Sequence, residues 1–209
     1  MNRTGRPREF DRDAALMKAM ELFWARGYEG ATLTDLQKFM GGITAPSFYA
    51  AFGSKEKLFR EAVELYHKTE GVVMVKALME GPTARTSVEG LLRAVAGSFS
   101  QTGKPHGCLV VLGAINCIPG NKSVEDFMCE QRALREKFMR QRLRRGVAEG
   151  DLPRTTDTNA LASFYTIVID GMAIRARDGA SRKALRAIVD LAMAAWDTMA
   201  QKKEADAER

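Results

Sequence analysis

The chain is poor in the residues on which most catalysis and metal binding rest. Its 209 residues include two histidines, His67 and His106, and three cysteines, Cys108, Cys117 and Cys129. Neither histidine sits in a recognisable pairing with a nucleophile. G-x-S-x-G, H-E-x-x-H, a phosphate-binding glycine loop and a dinucleotide fingerprint are all missing, which argues against an enzyme. The cysteine spacing fits no zinc site, and an odd number of thiols cannot form a complete disulfide framework. No metal and no cofactor is expected, and a reducing cytoplasm is the simplest compartment. The apolar run 108–115 is far shorter than the ~20 residues a membrane helix needs. The charged segment 1–10 is followed by no apolar stretch of the kind a secretory signal carries. A soluble intracellular protein is expected.

What the chain does have is positive charge and helical patterning. Lys and Arg number 32 against 26 Asp and Glu, a formal net charge of +6 that favours a polyanionic partner without identifying one. Hydrophobic residues make up 45% of the chain, enough for a core without covalent staples.

Caps and apolar periodicity predict an all-α protein of about nine helices. Asp11 caps a first helix (Leu16, Ala19, Met20, Phe23) that ends at Gly27. Thr34 opens a short second helix, with Gln37 completing a capping box, Leu36, Phe39 and Met40 on its buried side, and Gly41-Gly42 as its stop. Thr44 caps a third, in which Pro46 falls in the first turn and costs no hydrogen bond, and which runs through Phe48, Tyr49 and Phe52 to Gly53. Ser54 caps a long fourth helix ending at Gly81-Pro82. Thr86 with Glu89 opens the fifth. The segment 108–115 would accept a strand by local propensity, but nothing else in the chain offers a partner strand, so helix is preferred. Ser123, Asp157 and Ser181 begin the last three.

Helices two and three, joined by a tight glycine-containing turn, form a helix-turn-helix. Such a unit must offer small or polar side chains to the major groove and brace them from behind with apolar ones. Thr44, Ala45, Pro46 and Ser47 stand at the reading end, where bare N–H groups and the positive end of the helix dipole also face phosphate. Lys55, badly placed for the dipole of its own helix, suits a phosphate contact. Arg3, Arg6 and Arg8 around Gly5 and Pro7 make a basic arm.

The run Phe23-Trp24-Ala25-Arg26-Gly27-Tyr28-Glu29-Gly30-Ala31-Thr32, then Thr34-Asp35-Leu36, Gly42-Ile43-Thr44, Phe48-Tyr49, Phe52-Gly53-Ser54-Lys55-Glu56 and Leu58-Phe59, resembles the TetR/AcrR family of bacterial transcriptional regulators. Residues beyond it resemble the family more loosely, at Gly107-Cys108-Leu109 and Asp170-Gly171-Met172-Ala173. The resemblance implies a homodimer that represses a promoter until a small molecule binds its C-terminal part. It divides the chain into a DNA-binding unit, 1–53, and an effector-binding and dimerisation unit, 54–209. It also implies that Thr34, Thr44, Ala45, Pro46, Ser47, Tyr49 and Lys55 occupy positions that touch DNA. Ala51 is a departure: many members carry histidine or another phosphate-contacting residue there.

For a dimer interface the eighth and ninth helices offer Ile167, Gly171, Ile174, Leu185, Ile188, Val189 and Trp196, more apolar surface than one packed face requires. An effector pocket among helices four to eight would draw on Phe99, Cys108, Asn116, Phe127, Phe164 and Tyr165, although each also suits ordinary core packing. Cys108 follows Lys104, His106 and Gly107 at a helix start, a setting that favours a reactive thiolate, so sensing of oxidants or electrophiles is one alternative. A buried structural thiol is the other. The basic stretch from Arg132 to Arg145 reads as a solvated helix face. A helical ligand-binding or scaffold protein that never touches DNA is the rival from another class.

Overall fold

The computed structural model describes residues 11–200, and every regular element among them is helical. In chain order these are α1 (Arg12–Gly30), α2 (Leu33–Phe39), α3 (Ala45–Phe52), α4 (Lys55–Tyr66), a π-helical turn (His67–Gly71) and α5 (Val72–Glu80). They are followed by α6 (Ala84–Phe99), the single-turn α7 (Leu109–Leu112), a 3-10 turn (Pro119–Asn121) and α8 (Lys122–Glu149). The described residues end with α9 (Thr158–Arg177), α10 (Arg182–Ala194) and α11 (Trp196–Ala200). None is long and apolar enough to cross a membrane.

The caps show why the helices begin where they do. Asp11 accepts from Ala14 N, Thr44 from Ser47 N, Ser54 from Lys57 N, Asp157 from Ala160 N and Ser181 from Ala184 N, each as the local sequence predicts. Two expected caps are displaced. α2 is capped by Thr32, whose Oγ1 accepts from Asp35 N and donates to the Asp35 carboxylate at 2.7 Å, so Thr34 is already inside the helix. α6 is capped by Thr83, which exchanges hydrogen bonds with Thr86 in a capping box, in place of a Thr86–Glu89 pair. The expected long fourth helix is interrupted by the π turn, and the run 108–115 yields only one turn of helix. Phe39, expected on the buried side of α2, is 48% exposed.

One continuous core runs through the described residues. Its aromatic cluster joins α1 to α4: Phe23 meets Phe59 edge to face at 5.0 Å, and Tyr28 meets Phe59 at 5.1 Å. The end of α1 is fastened to the rest of the molecule by three hydrogen bonds to backbone carbonyls. Trp24 Nε1 donates to Gly107 O at 3.2 Å, Tyr28 N donates to Gly113 O at 2.6 Å, and Arg177 donates to Trp24 O at 2.8 Å. The close approach requires a glycine at residue 27, where φ is +71° and a Cβ would lie 3.2 Å from Gly113 O. Trp24 also packs edge-on against Tyr66, with centroids 5.0 Å apart.

An arginine holds the other end of the molecule. Arg142, on α8, is 1% exposed; its Nε donates to Ser87 Oγ at 2.8 Å and a terminal nitrogen donates to Gly81 O at 3.1 Å. Asp151 stands 3.8 Å from the same guanidinium and accepts from Ala84 N at 2.7 Å. The start of α6 is thereby locked to the end of α8. Expecting a fully solvated basic face on α8 was wrong at this position, because residue 142 turns inward onto α6.

Candidate nucleic-acid interface

The turn between α2 and α3 is built on one carbonyl. Gln37 O accepts from Gly42 N at 3.0 Å and from Ile43 N at 3.2 Å, which ends α2 and delivers the chain to Thr44. Thr44 Oγ1 accepts from Ser47 N and donates to Ser47 Oγ at 2.9 Å, so the first turn of α3 is pinned by its own hydroxyls. Thr44, Ala45, Pro46 and Ser47 are all exposed, and Tyr49 is 52% exposed. Behind them Phe48 is fully buried and Phe52 is 3% exposed. α3 therefore presents a small polar tip in front of an aromatic anchor, the arrangement a major groove demands.

Several charged groups brace this tip. Arg12 stacks over the Phe52 ring at 4.7 Å, donates to Ala51 O at 3.3 Å and pairs with Glu61 at 2.6 Å, tying α1 to the α3–α4 corner. Arg26 lies 3.2 Å from Asp35, and the Thr32 hydroxyl holds the Asp35 carboxyl below its usual range. Sequence reasoning passed over Arg12, Arg26 and Thr32; the clue was Asp35 placed three residues after Thr32.

Lys55 is less free than expected. Its Nζ lies 4.2 Å from the centroid of Tyr28, and loss of water there lowers its pKa, against a smaller opposing effect of Glu29. Glu29 accepts from Asn121 Nδ2 at 2.7 Å and from Ile118 N at 3.1 Å. Thr34 is exposed on α2. Arg6 and Arg8 lie outside the described residues.

A cavity of about 320 Å³ opens in the C-terminal half, between α4, α5, α6, α8 and the start of α7. Tyr66, His67, Met74, Leu91, Cys108 and Arg135 are among its lining residues. Of the residues expected to line a pocket, only Cys108 does. Phe99 and Tyr165 fill the core instead, Phe127 and Phe164 are half-buried away from the cavity, and Asn116 is exposed. Bulky rings fill space; the void opens where smaller and flexible chains stop short of one another. Cys108 is 4% exposed and accepts from the Tyr66 hydroxyl at 3.5 Å. Lys104, expected beside it, pairs instead with Glu70 at 2.6 Å. Cys108 is therefore buried, with its thiol against the Tyr66 hydroxyl.

The expected dimer residues divide in two. Leu185 and Val189 are fully buried within the monomer because that side of α10 packs on α6 and α9, and Trp196 is 3% exposed against Tyr165 of α9. Ile167, Gly171 and Ile174 are exposed, Ile188 is half-buried, and Leu191, not anticipated, is 75% exposed.

Comparison with known proteins agrees with this geometry. The model of the family described as "Bacterial regulatory proteins, tetR family" matches residues 15–62. The HTH-type transcriptional repressor ComR of Escherichia coli (strain K12) is 34% identical over 92% of this chain and 91% of its own length. BdcR, an HTH-type transcriptional repressor of the same organism, is 26% identical over 93% of each. Among solved structures, a cysteine mutant of the TetR family transcriptional regulator CifR, complexed with 26bp double-strand operator DNA, superposes with a TM-score of 0.88. It shares 45% identity and covers 92% of this chain and 100% of its own. Helix-turn-helix geometry and these relatives lead to one conclusion: the chain belongs to the TetR family of bacterial regulatory proteins and is a DNA-binding transcriptional regulator.

Proposed function

We propose that the protein is a cytoplasmic, non-catalytic homodimeric repressor that holds a near-palindromic operator and releases it when a small molecule enters the cavity. Residues 1–53 form its DNA-binding unit and residues 54–209 its effector-binding and dimerisation unit. The observation that carries this reading is the exposed Thr44–Ser47 tip braced by buried Phe48 and Phe52. Thr44, Ala45, Pro46 and Ser47 read base edges, Thr34 and Tyr49 flank them, and Lys55 steps off the Tyr28 ring to meet phosphate. Operator relatives such as CifR support the assignment.

Selection from random duplexes tests it. A pseudo-palindrome is expected, with half-sites about one helical turn, roughly 34–36 Å, apart. Recovery of no preferred duplex would overturn the proposal, whereas steep salt dependence alone decides nothing, because nonspecific binding shows it too.

For the dimer, the outer faces of α9 and α10 are the proposed contact. Ile167, Gly171 and Ile174 recur at helical spacing, and a Cβ on Gly171 would meet nothing within 4 Å, which leaves room for a second backbone. Exposed Leu191 extends the surface on α10. Leu191→Arg is expected to convert the dimer to monomer in light-scattering measurements, with unchanged helix content. Operator affinity should fall by roughly 100-fold or more as the second half-site contact is lost. A dimer that survives this substitution places the interface elsewhere.

A further inference from the structure

A cation from another helix borders α3. Arg12 is the first residue of α1, where a positive charge opposes the dipole of its own helix. Its guanidinium serves α3 instead. Nε donates to Ala51 O at 3.3 Å, Nη2 pairs with Glu61 at 2.6 Å, and the group lies 4.7 Å from the centre of the Phe52 ring. Nη1 has no partner among the described residues, and the side chain is 42% exposed, so an incoming acceptor can reach it.

The place of this group decides what it can meet. α3 exposes Ala45, Pro46, Tyr49 and Ala50 and buries Phe48 and Phe52. Ala51 is half-buried, so it marks the edge between the face turned outward and the face packed on the protein. The major groove is about 12 Å wide, so a helix lying in it has a sugar-phosphate wall along each flank. A donor at the edge of α3 therefore meets phosphate, and a donor on its outward face meets bases. Ala51 brings no polar side chain to that edge; Arg12 does.

The corner also holds a second cation. The Lys57 side chain lies along Gly53 at the end of α3, where a Cβ would stand 3.2 Å from its Cδ and 3.6 Å from its Nζ. Lys57 is exposed and sits one turn before Glu61 on α4, so two positive groups and one carboxylate share this edge. The Arg12–Glu61 pair is open to water on both sides and leaves the guanidinium available to a further acceptor. The geometry points to Arg12 as a DNA-backbone contact, with Nη1 donating to a phosphate oxygen beside α3. This contact rests on the placement of the α3 tip in the groove proposed above. The planar fork suits the task, because different nitrogens serve the carbonyl, the carboxylate and the phosphate at once.

Anisotropy titrations of the full-length protein over a series of salt concentrations test it, with the selected operator and a scrambled duplex of equal length. Arg12→Gln alone would leave Glu61 bare beside phosphate, so the informative variant is the charge-balanced Arg12→Gln/Glu61→Gln. It should bind both duplexes roughly tenfold or more weakly, with the preference between them kept. Its plot of log affinity against log salt should be shallower by about 1 for each protomer. Glu61→Gln alone should bind both duplexes more tightly than wild type, since Arg12 no longer shares its charge. A double variant with the wild-type salt slope, or a Glu61→Gln that binds no more tightly than wild type, overturns the contact. Thermal melts establish folding; if the double variant is unfolded at the assay temperature, Glu61→Gln decides. Wild-type protein that prefers no duplex refutes the seating of α3 in the groove and this contact with it. A clear wild-type preference with an unchanged slope in the double variant refutes the role of Arg12 alone.

Discussion

Ser47→Glu is expected to abolish specific operator binding while leaving the protein as stable as before, or slightly more stable. Ser47 is the third residue of α3, and Thr44 is its cap. A glutamate at that position completes a capping box and lies at the positive end of the helix dipole, each favourable by a few tenths to about 1 kcal/mol. The same carboxylate would stand at the tip that enters the groove, one in each protomer, facing phosphate and base acceptors. Like-charge juxtaposition of this kind costs several kcal/mol. At about 1.4 kcal/mol per factor of ten, operator affinity should drop by roughly 100-fold or more. Ser47→Ala, which removes the hydroxyl without adding charge, should cost far less. Anisotropy titrations at fixed salt, paired with thermal melts, separate the two effects. An affinity within about threefold of wild type would mean that the Thr44–Ser47 tip does not face DNA.

The largest loss of stability is expected at Arg142. Truncation to alanine empties a buried guanidinium site, deprives Ser87 Oγ of its donor, leaves Gly81 O with the Ser87 hydroxyl alone, and leaves Asp151 without its nearby cation. Removing one partner of a buried pair costs about 3–5 kcal/mol. For a chain of this size that corresponds to a fall in Tm of roughly 10 °C. Arg142→Met, which refills the space with an apolar chain, should recover part of the loss. Denaturant unfolding at one fixed protein concentration checks both, because dimerisation makes apparent stability depend on concentration. At temperatures where Arg142→Ala remains folded, its operator affinity should match wild type, since Arg142 lies on α8, outside the helix-turn-helix.

How much of this was legible beforehand depends on the range of the interaction concerned. Asp11, Thr44, Ser54, Asp157 and Ser181 announce their helices because a cap is a contract between neighbours three residues apart. Thr32 and Thr34 both look like caps. The choice between them falls to Asp35, which bonds to Thr32 and is held from α1 by Arg26, a tertiary contact with no local signature. The π turn at 67–71 was invisible for a similar reason, since no glycine-proline pair or cap marks it. The recognition tip was readable because apolar Phe48 and Phe52 alternate with small polar residues at helical spacing. The cavity was not. Its aromatic candidates were chosen for size, and large rings are the residues that close gaps. The apolar outer surface of α9 and α10 was half legible: α10 is apolar on more than one side, and only burial of Leu185 and Val189 within the monomer shows that Leu191 is the residue left outside.

Trp24 has a practical consequence. Its indole nitrogen is held by Gly107 O, and its ring edge meets Tyr66, which borders the cavity, while its own helix runs toward the DNA-reading unit. The chain's other tryptophan, Trp196, sits apart beside Tyr165. With Trp196 replaced by phenylalanine, the remaining emission becomes a built-in optical gauge at the junction of the two halves, able to register cavity occupancy without any attached dye.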